Sequence, residues 1–181
     1  MATRPRAAAT ESDLLNTPED GWKRELVDGQ IRVSPAGSRH GQVCVNVILH
    51  LGGLVRERQL GYVFDSSTGF RPPGGNARLP DVAFVAKGRF PGEQLPEGFS
   101  DVPPHLAVEV LSPDDRSPCV LERVGEYLPA GVRLVWVIDP ARRTGVVHKS
   151  MTDVRQIGPE DALEGGDVLP GFACRLGEIV S

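Results

Sequence analysis

Two apolar stretches decide the fold of this chain: Leu79-Pro80-Asp81-Val82-Ala83-Phe84-Val85 and His105-Leu106-Ala107-Val108-Glu109-Val110-Leu111-Ser112-Pro113. Both are rich in Val, Leu and Phe, so each predicts a buried strand of about four to seven residues. Each strand carries one carboxylate, Asp81 or Glu109, and an ionised carboxylate in a buried strand needs a compensating cation. If the strands are neighbours in a sheet, the two carboxylates can converge on one hard divalent metal ion, which prefers oxygen ligands.

The other segments predict a mixed α and β domain around these strands. The dipeptide Asp28-Gly29 predicts a tight turn between strands at 23–27 and 30–33. Apolar residues spaced by three and four predict a helix over about 39–58, and Ser117-Pro118 predicts the start of another. Further strands are expected at 62–64, 68–71, 133–138, 145–149 and 154–157, and residues 169–172 are expected to pack over the sheet edge. This order indicates an α/β or α+β fold with a central mixed sheet.

Length and composition favour a single soluble domain. The chain has 181 residues, of which 40% are hydrophobic, and this is enough for one core. Residues 1–11 lack hydrophobic periodicity and predict a flexible tail, so the domain is expected to span residues 12–181. No stretch approaches the roughly 18 apolar residues of a membrane span, and the N-terminus lacks the apolar core of a signal peptide, so we expect no membrane association and a cytoplasmic location. The three cysteines lack CxxC spacing and predict reduced thiols rather than disulfides or a zinc site.

The net charge of −4 opposes strong nonspecific binding to nucleic acid, because affinity for a phosphate backbone comes mainly from clustered Lys and Arg. A local basic rim around an acidic site is still compatible with this charge. Six arginines are candidates for it: Arg56, Arg58, Arg71, Arg78, Arg142 and Arg143. The alternative is that they are solvated surface charges. The chain has 17 arginines but only three lysines, Lys23, Lys87 and Lys149.

Seven short motifs follow one another along the chain: Arg24-Glu25-Leu26-Val27-Asp28-Gly29-Gln30-Ile31, Arg39-His40-Gly41, Thr68-Gly69-Phe70, Val108-Glu109-Val110-Leu111-Ser112-Pro113, Ala130-Gly131-Val132, Val135-Trp136-Val137-Ile138-Asp139-Pro140 and Val168-Leu169-Pro170-Gly171-Phe172. Taken in this order, they resemble the Uma2 family of the PD-(D/E)XK nuclease superfamily. The resemblance covers roughly residues 12–180. It implies a restriction-endonuclease-like core, with a central mixed β-sheet flanked by helices, and a metal-dependent endonuclease that hydrolyses DNA phosphodiester bonds.

The resemblance also implies roles for individual residues. Asp81, Glu109 and the main-chain carbonyl of Val110 would hold Mg²⁺ or Mn²⁺, which activates water and stabilises charge at phosphorus. Glu25 would lie near the metal, and His40 would face a substrate phosphate or bond a site carboxylate. The alternatives are structural: arginine partners for the two carboxylates, a solvated Glu25 and a local polar contact for His40. Cleavage of both strands of a duplex would favour a homodimer.

The chain departs from the superfamily pattern at its lysine. Leu111 stands two residues after Glu109, where the motif has lysine. In similar Uma2 sequences the lysine lies on the following helix, and the matching residue here is Arg123. Arginine can stabilise negative charge in a transition state, but its planar and permanently protonated head cannot act as a base. The alternatives are a surface ion pair for Arg123, with Glu122 or Glu126, and a nuclease-fold protein that binds DNA or a protein partner without cleaving.

Overall fold

The computed structural model describes residues 7–18, 20, 22–34, 37–113 and 117–181. The helices of these residues are α1 (Glu11–Leu15), α2 (Ser38–Glu57), α3 (Ser117–Tyr127) and α4 (Leu176–Ile179). The strands are β1 (Lys23–Val27), β2 (Gln30–Ser34), β3 (Gly61–Asp65), β4 (Val82–Ala86), β5 (Leu106–Val110), β6 (Leu134–Asp139), β7 (Thr144–His148), β8 (Val154–Ile157), β9 (Ala162–Glu164) and β10 (Ala173–Arg175). Residues 1–6 of the predicted tail lie outside the described residues. At its other end, the Ala9 amide donates a hydrogen bond to the Gly29 carbonyl.

A six-stranded mixed sheet forms the centre of the domain, in the order β3-β4-β5-β6-β7-β8. Strands β5 and β6 are parallel, and the other neighbouring pairs are antiparallel. Helix α3 lies in the connection between β5 and β6, as a parallel pair requires a long crossover. The predicted fold class, with a central mixed sheet flanked by helices, is confirmed.

The two faces of the sheet are covered by different helices. On one face, Leu51 of α2 belongs to the same buried cluster as Val108 of β5. On the other face, Val124 of α3 packs in a cluster with Ala107. Because successive side chains of a strand point to opposite faces, Glu109 lies on the same face as Ala107 and therefore on the α3 side.

The C-terminal segment packs on the face that α2 covers, rather than over the sheet edge as predicted. The ring of Phe172 lies 5.5 Å from that of Trp136, a buried residue of the inner strand β6. Leu169 and Leu176 are fully buried in the same cluster. The segment is too apolar to be covered by an edge alone, so burial of these side chains draws it onto the face.

The strand predicted at residues 68–71 does not form. Phe70 makes only isolated β-bridges, with Arg78 and with Ser100. The backbone of Gly69 lies so close to the Phe99 ring that a Cβ atom would come within 2.4 Å of it. The segment is thus held by single contacts on both sides, and β-propensity without a continuous partner gives no strand.

The β1–β2 hairpin stands apart from the six-stranded sheet. Its turn has positive φ angles at both central residues, 49° at Asp28 and 67° at Gly29, as the sequence predicts. Backbone hydrogen bonds of 3.1 and 2.9 Å join Leu26 to Ala77, just before the segment that leads into β4. Since side chains alternate along a strand, Lys23 and Glu25 lie on one face of β1.

Candidate active site

Asp81 lies immediately before β4, at the point where β4 meets the end of β5. The antiparallel register pairs Val82 with Val108, and the Asp81 amide donates to the Val108 carbonyl at 3.0 Å. Its carboxylate is 4% exposed, and Oδ2 accepts a 2.8 Å hydrogen bond from the amide of Val110. The strand pairing therefore brings Asp81 next to the residues around Glu109, as the sequence predicts for neighbouring strands.

Lys23, which the sequence analysis overlooked, is the second partner of Asp81. Its Nζ lies 2.6 Å from Oδ1 of Asp81, and its side chain is 16% exposed. Burial alone would lower the pKa of Lys23, but attraction to Asp81, Glu109 and Glu25 outweighs burial and leaves that pKa above its ordinary value. Two sequence features could have identified it: lysine is rare in this chain, and Lys23 shares a strand face with Glu25.

His40, in the first turn of α2, is the third partner of Asp81. Its Nε2 lies 3.1 Å from Oδ2 of Asp81, and its Nδ1 lies 3.6 Å from Sγ of Cys44, one turn further along the helix. The bond to Asp81 is the largest cause that raises the pKa of His40 to about 10. The imidazole is therefore a protonated donor at neutral pH, and the combined attraction of Lys23 and His40 keeps the pKa of the buried Asp81 below its ordinary range.

Glu109 is fully enclosed on the α3 side of the sheet. Its Oε1 accepts a 2.6 Å hydrogen bond from the hydroxyl of Tyr127, and its Oε2 accepts a 2.9 Å hydrogen bond from Nη1 of Arg123. Burial raises the pKa of Glu109, and the nearby Asp81 raises it further, against the opposing effect of Lys23 and Arg123. The negative charge of Asp81 thus reaches Glu109, and Lys23 is attracted to both carboxylates.

Arg123 points into the site, and the surface pair considered as its alternative does not describe it. Its side chain is 12% exposed, and Nε lies 4.0 Å from Glu25 in addition to the Nη1 bond to Glu109. Helix α3 thus provides Glu109 with two partners. They are Arg123 and Tyr127, which lie at the i and i+4 positions of one helical face.

Glu25 is buried at 4% exposure, so the interpretation of a solvated residue is wrong. Its Oε1 accepts a 2.9 Å hydrogen bond from the amide of Leu79, and its Oε2 lies 3.5 Å from Nη1 of Arg78. The contact with Leu79 fixes the backbone two residues before Asp81. Glu25 therefore holds the segment that presents Asp81, in addition to adding negative charge to the site.

Arg78 is buried at 1% exposure, so its assignment to a surface rim is wrong. Its guanidinium makes a two-point contact with Glu126, at 2.7 and 2.6 Å, and a 3.0 Å bond to Glu122. Three carboxylates around one guanidinium account for the burial of this cation. The network ties the hairpin, through Glu25, to helix α3.

A cleft of about 540 Å³ opens beside His40. Its lining includes the exposed cations Arg39 and Arg142, the second of which is paired with Asp139 of the same lining at 2.9 Å, together with Leu111 and Ser112, the residues that follow β5. A second arginine of the expected rim, Arg71, is engaged instead with Glu11 and Asp101. The cleft gives the site an opening with positive charge at its margin.

Two groups of side chains among the described residues have donor atoms close enough to hold a metal ion: His40, Cys44 and Asp81, and separately His50, Cys174 and Glu178. In the first group, Asp81 supplies the carboxylate oxygen. Carboxylate oxygens, such as those of Asp81 and Glu109, are the donors that Mg²⁺ and Mn²⁺ prefer. The described residues thus include a possible acidic metal site.

Comparison with known proteins places the chain in a family of nuclease type. A family model described as "Uma2: Putative restriction endonuclease" matches residues 11–177, so the chain belongs to the Uma2 family. A crystal structure from Anabaena variabilis ATCC 29413, described as "a putative nuclease belonging to DUF820", is similar with a TM-score of 0.83 and 19% sequence identity. The similarity covers 94% of this chain and 97% of that one. A search of curated proteins gives no match.

These findings confirm the resemblance and the fold that the sequence predicts. They support a nuclease that acts on nucleic acid, with a site able to hold a metal ion. Among the residues that the structure describes, no helix is long and apolar enough to cross a membrane.

Proposed function

We propose that the protein is a metal-dependent endonuclease that hydrolyses phosphodiester bonds of DNA with Mg²⁺ or Mn²⁺. The observation that carries this proposal is the pairing of β4 with β5, which sets Asp81 against the amide of Val110, next to Glu109, with the Lys23 ammonium 2.6 Å from Asp81. An internal cation at this carboxylate marks a place where positive charge is stabilised. Membership of the Uma2 family supports the nuclease class.

In this proposal Asp81, Glu109 and the carbonyl of Val110 hold the ion. When bound, the ion supplies an activated water and stabilises the charge that develops at phosphorus. Hydrolysis would join the water oxygen to phosphorus and break the bond from phosphorus to the sugar oxygen, while the water gives up one proton to solvent and the leaving sugar oxygen takes one from solvent. Arg123 favours the ionised form of Glu109 and orients that carboxylate through its 2.9 Å bond. It also brings positive charge to the site, which stabilises a phosphorane-like transition state.

The approach of the substrate is assigned to the cleft beside His40. Arg39 and Arg142 at its margin offer positive charge to the phosphate backbone, and the protonated His40 adds charge at its inner end. Because the chain is acidic overall, its affinity for DNA is expected to depend on these few contacts and to fall with salt. A homodimer would provide two sites for the two strands of a duplex.

The test is cleavage of supercoiled plasmid in Mg²⁺, in Mn²⁺ and in EDTA. We expect nicking or linearisation only with a divalent ion, and a loss on the order of 100-fold in Asp81→Asn and Glu109→Gln. Asp153→Asn, which alters an exposed carboxylate in the β7–β8 turn, is the matched control and should keep the wild-type rate. Cleavage that persists in EDTA, or an active Asp81→Asn protein, contradicts the proposal.

One observation favours a second candidate, a nuclease-fold protein that binds DNA or a protein partner without cleaving it. Each carboxylate already has a cation from its own chain, Lys23 at Asp81 and Arg123 at Glu109. If these pairs are permanent, no ion enters and no water is activated. The same plasmid assay separates the two candidates, since this one predicts no cleavage by wild type at any metal concentration.

A further inference from the structure

We propose that Lys23 is a tethered cation that occupies the metal position at Asp81 in the metal-free protein, so that a divalent ion binds only by displacing its ammonium group. The inference rests on the proposed function, because it describes how the same site is loaded. Lys23 would then determine the metal concentration at which the site becomes occupied.

The distribution of contacts on Asp81 supports this role. Its Oδ2 is engaged by the amide of Val110 at 2.8 Å and by Nε2 of His40 at 3.1 Å. The amide belongs to β5 and cannot leave without disturbing the sheet. The other oxygen, Oδ1, is held by Lys23 at 2.6 Å. An ion that approaches Oδ1 of Asp81 therefore meets a partner that is carried on a long, flexible side chain.

The two cations cannot share this oxygen. An ammonium and a divalent ion within bonding distance of the same carboxylate oxygen repel each other strongly, because the site is buried and poorly screened. Lys23 is further attracted by Glu109 and Glu25, so its charge is drawn to the region that both proposed metal-binding carboxylates face. Displacement of Lys23 must accordingly accompany binding.

Lys23 can move while its strand stays in place. The β1 backbone is fixed nearby by Glu25, which bonds the Leu79 amide at 2.9 Å, and by the Leu26–Ala77 bridge. A lysine side chain is a compact charge on a flexible four-carbon stem, whereas arginine carries a broad planar head. In a chain with 17 arginines and three lysines, a lysine at the Asp81 contact suits a cation that has to leave and return.

The first test uses wild-type protein and its three lysines. Amine-reactive labelling, quantified by mass spectrometry, should find Lys23 protected in EDTA, while the exposed Lys87 and Lys149 serve as internal references. Saturating Mg²⁺ or Mn²⁺ should raise the labelling of Lys23 on the order of tenfold as its ammonium leaves Asp81. Unchanged labelling at a metal concentration that raises the melting temperature overturns the inference.

The second test measures metal affinity by calorimetry. Lys23→Met should bind Mg²⁺ on the order of tenfold more tightly than wild type, because the competing charge is gone. Lys23→Arg keeps the charge and should not gain affinity, and the exposed Lys149→Met is the control without effect. Circular dichroism verifies folding, and if Lys23→Met does not fold, the labelling of wild type decides.

The outcomes distinguish this inference from the proposed function. If Lys23→Met binds metal more tightly but the wild type does not cleave DNA, the tethered cation is supported and the proposed nuclease activity is contradicted. Metal-dependent cleavage together with equal affinities in wild type and Lys23→Met removes the tethered cation and keeps the nuclease. If neither protein binds metal, the tethered cation and the proposed metal dependence both fail.

Discussion

The two tyrosines of the chain make the same contact in opposite surroundings. Tyr127 is 2% exposed and donates its hydroxyl to Glu109 at 2.6 Å. Tyr62 donates to Glu93 at 2.8 Å on the surface. A hydrogen bond to a charged partner contributes more to stability when water cannot replace the donor. Comparing the two tyrosine–glutamate bonds therefore separates the effect of burial from the effect of the bonding groups.

Tyr127→Phe is expected to lower the free energy of unfolding by about 1.5–3 kcal/mol, because the buried Glu109 carboxyl loses a hydrogen-bond donor. Tyr62→Phe is the matched control and should cost less than about 1 kcal/mol, since water replaces the hydroxyl. Urea denaturation at neutral pH measures both. Equal losses in the two variants would show that Glu109 recovers another partner.

At the scale of elements, ion pairs join α3 to the hairpin and to the segment before β4. Arg78 bridges Glu25 of β1 and Glu126 of α3 with a side chain that is 1% exposed. Arg71 makes a similar two-point contact with Glu11, at 2.7 Å through each nitrogen, but its side chain is 34% exposed. Comparing the two arginines therefore shows how burial changes the contribution of a two-point arginine–carboxylate contact to stability.

Arg78→Met is expected to destabilise the protein by about 3–5 kcal/mol, since it removes a cation from the buried Glu25 and from the half-buried Glu126. Arg71→Met should cost at most about 1 kcal/mol because its pair is solvated. Chemical denaturation of both variants, with circular dichroism as the probe, gives the comparison. A loss below about 1 kcal/mol in Arg78→Met would mean that Glu25 and Glu126 are neutralised or hydrated once the arginine is removed.

At the scale of the whole molecule, local patterns predicted α2, α3 and the strands of the central sheet, and burial rules predicted part of the site. The spacing of apolar residues defined α2 and the inner strands, because each face of the sheet is covered by a helix. Asp81 and Glu109 were identifiable because a carboxylate within an apolar strand requires a partner. Their roles in binding metal remain predictions.

The partners of those carboxylates were not predictable from local patterns. Lys23 lies 58 residues from Asp81 along the chain, on a hairpin that no strand pairing joins to the six-stranded sheet. Arg78 sits in a segment with the composition of a loop, and its burial depends on Glu122 and Glu126, which are 44 and 48 residues away. The positions of Lys23 and Arg78 depend on how separate elements pack together, and a single sequence carries little information about that packing.

Because the β1–β2 hairpin is not part of the six-stranded sheet, the site can be incomplete while the rest of the domain is folded. The hairpin is attached by the Leu26–Ala77 bridge, by the burial of Leu26 and Val27, and by side-chain contacts that include those of Lys23 and Glu25. No strand pairing joins it to the six-stranded sheet, so it can undock while β5 and β6 stay paired. We expect the amides of β1 to exchange with deuterium through an opening of lower free energy than those of β5. Native-state hydrogen exchange measures both, and a common opening energy would show that hairpin and sheet unfold together. If the opening free energy of β1 is the lower one, the fraction of molecules with a complete site at any instant is set by the equilibrium between docked and undocked hairpin. Substitutions far from the carboxylates can shift that equilibrium without unfolding the protein.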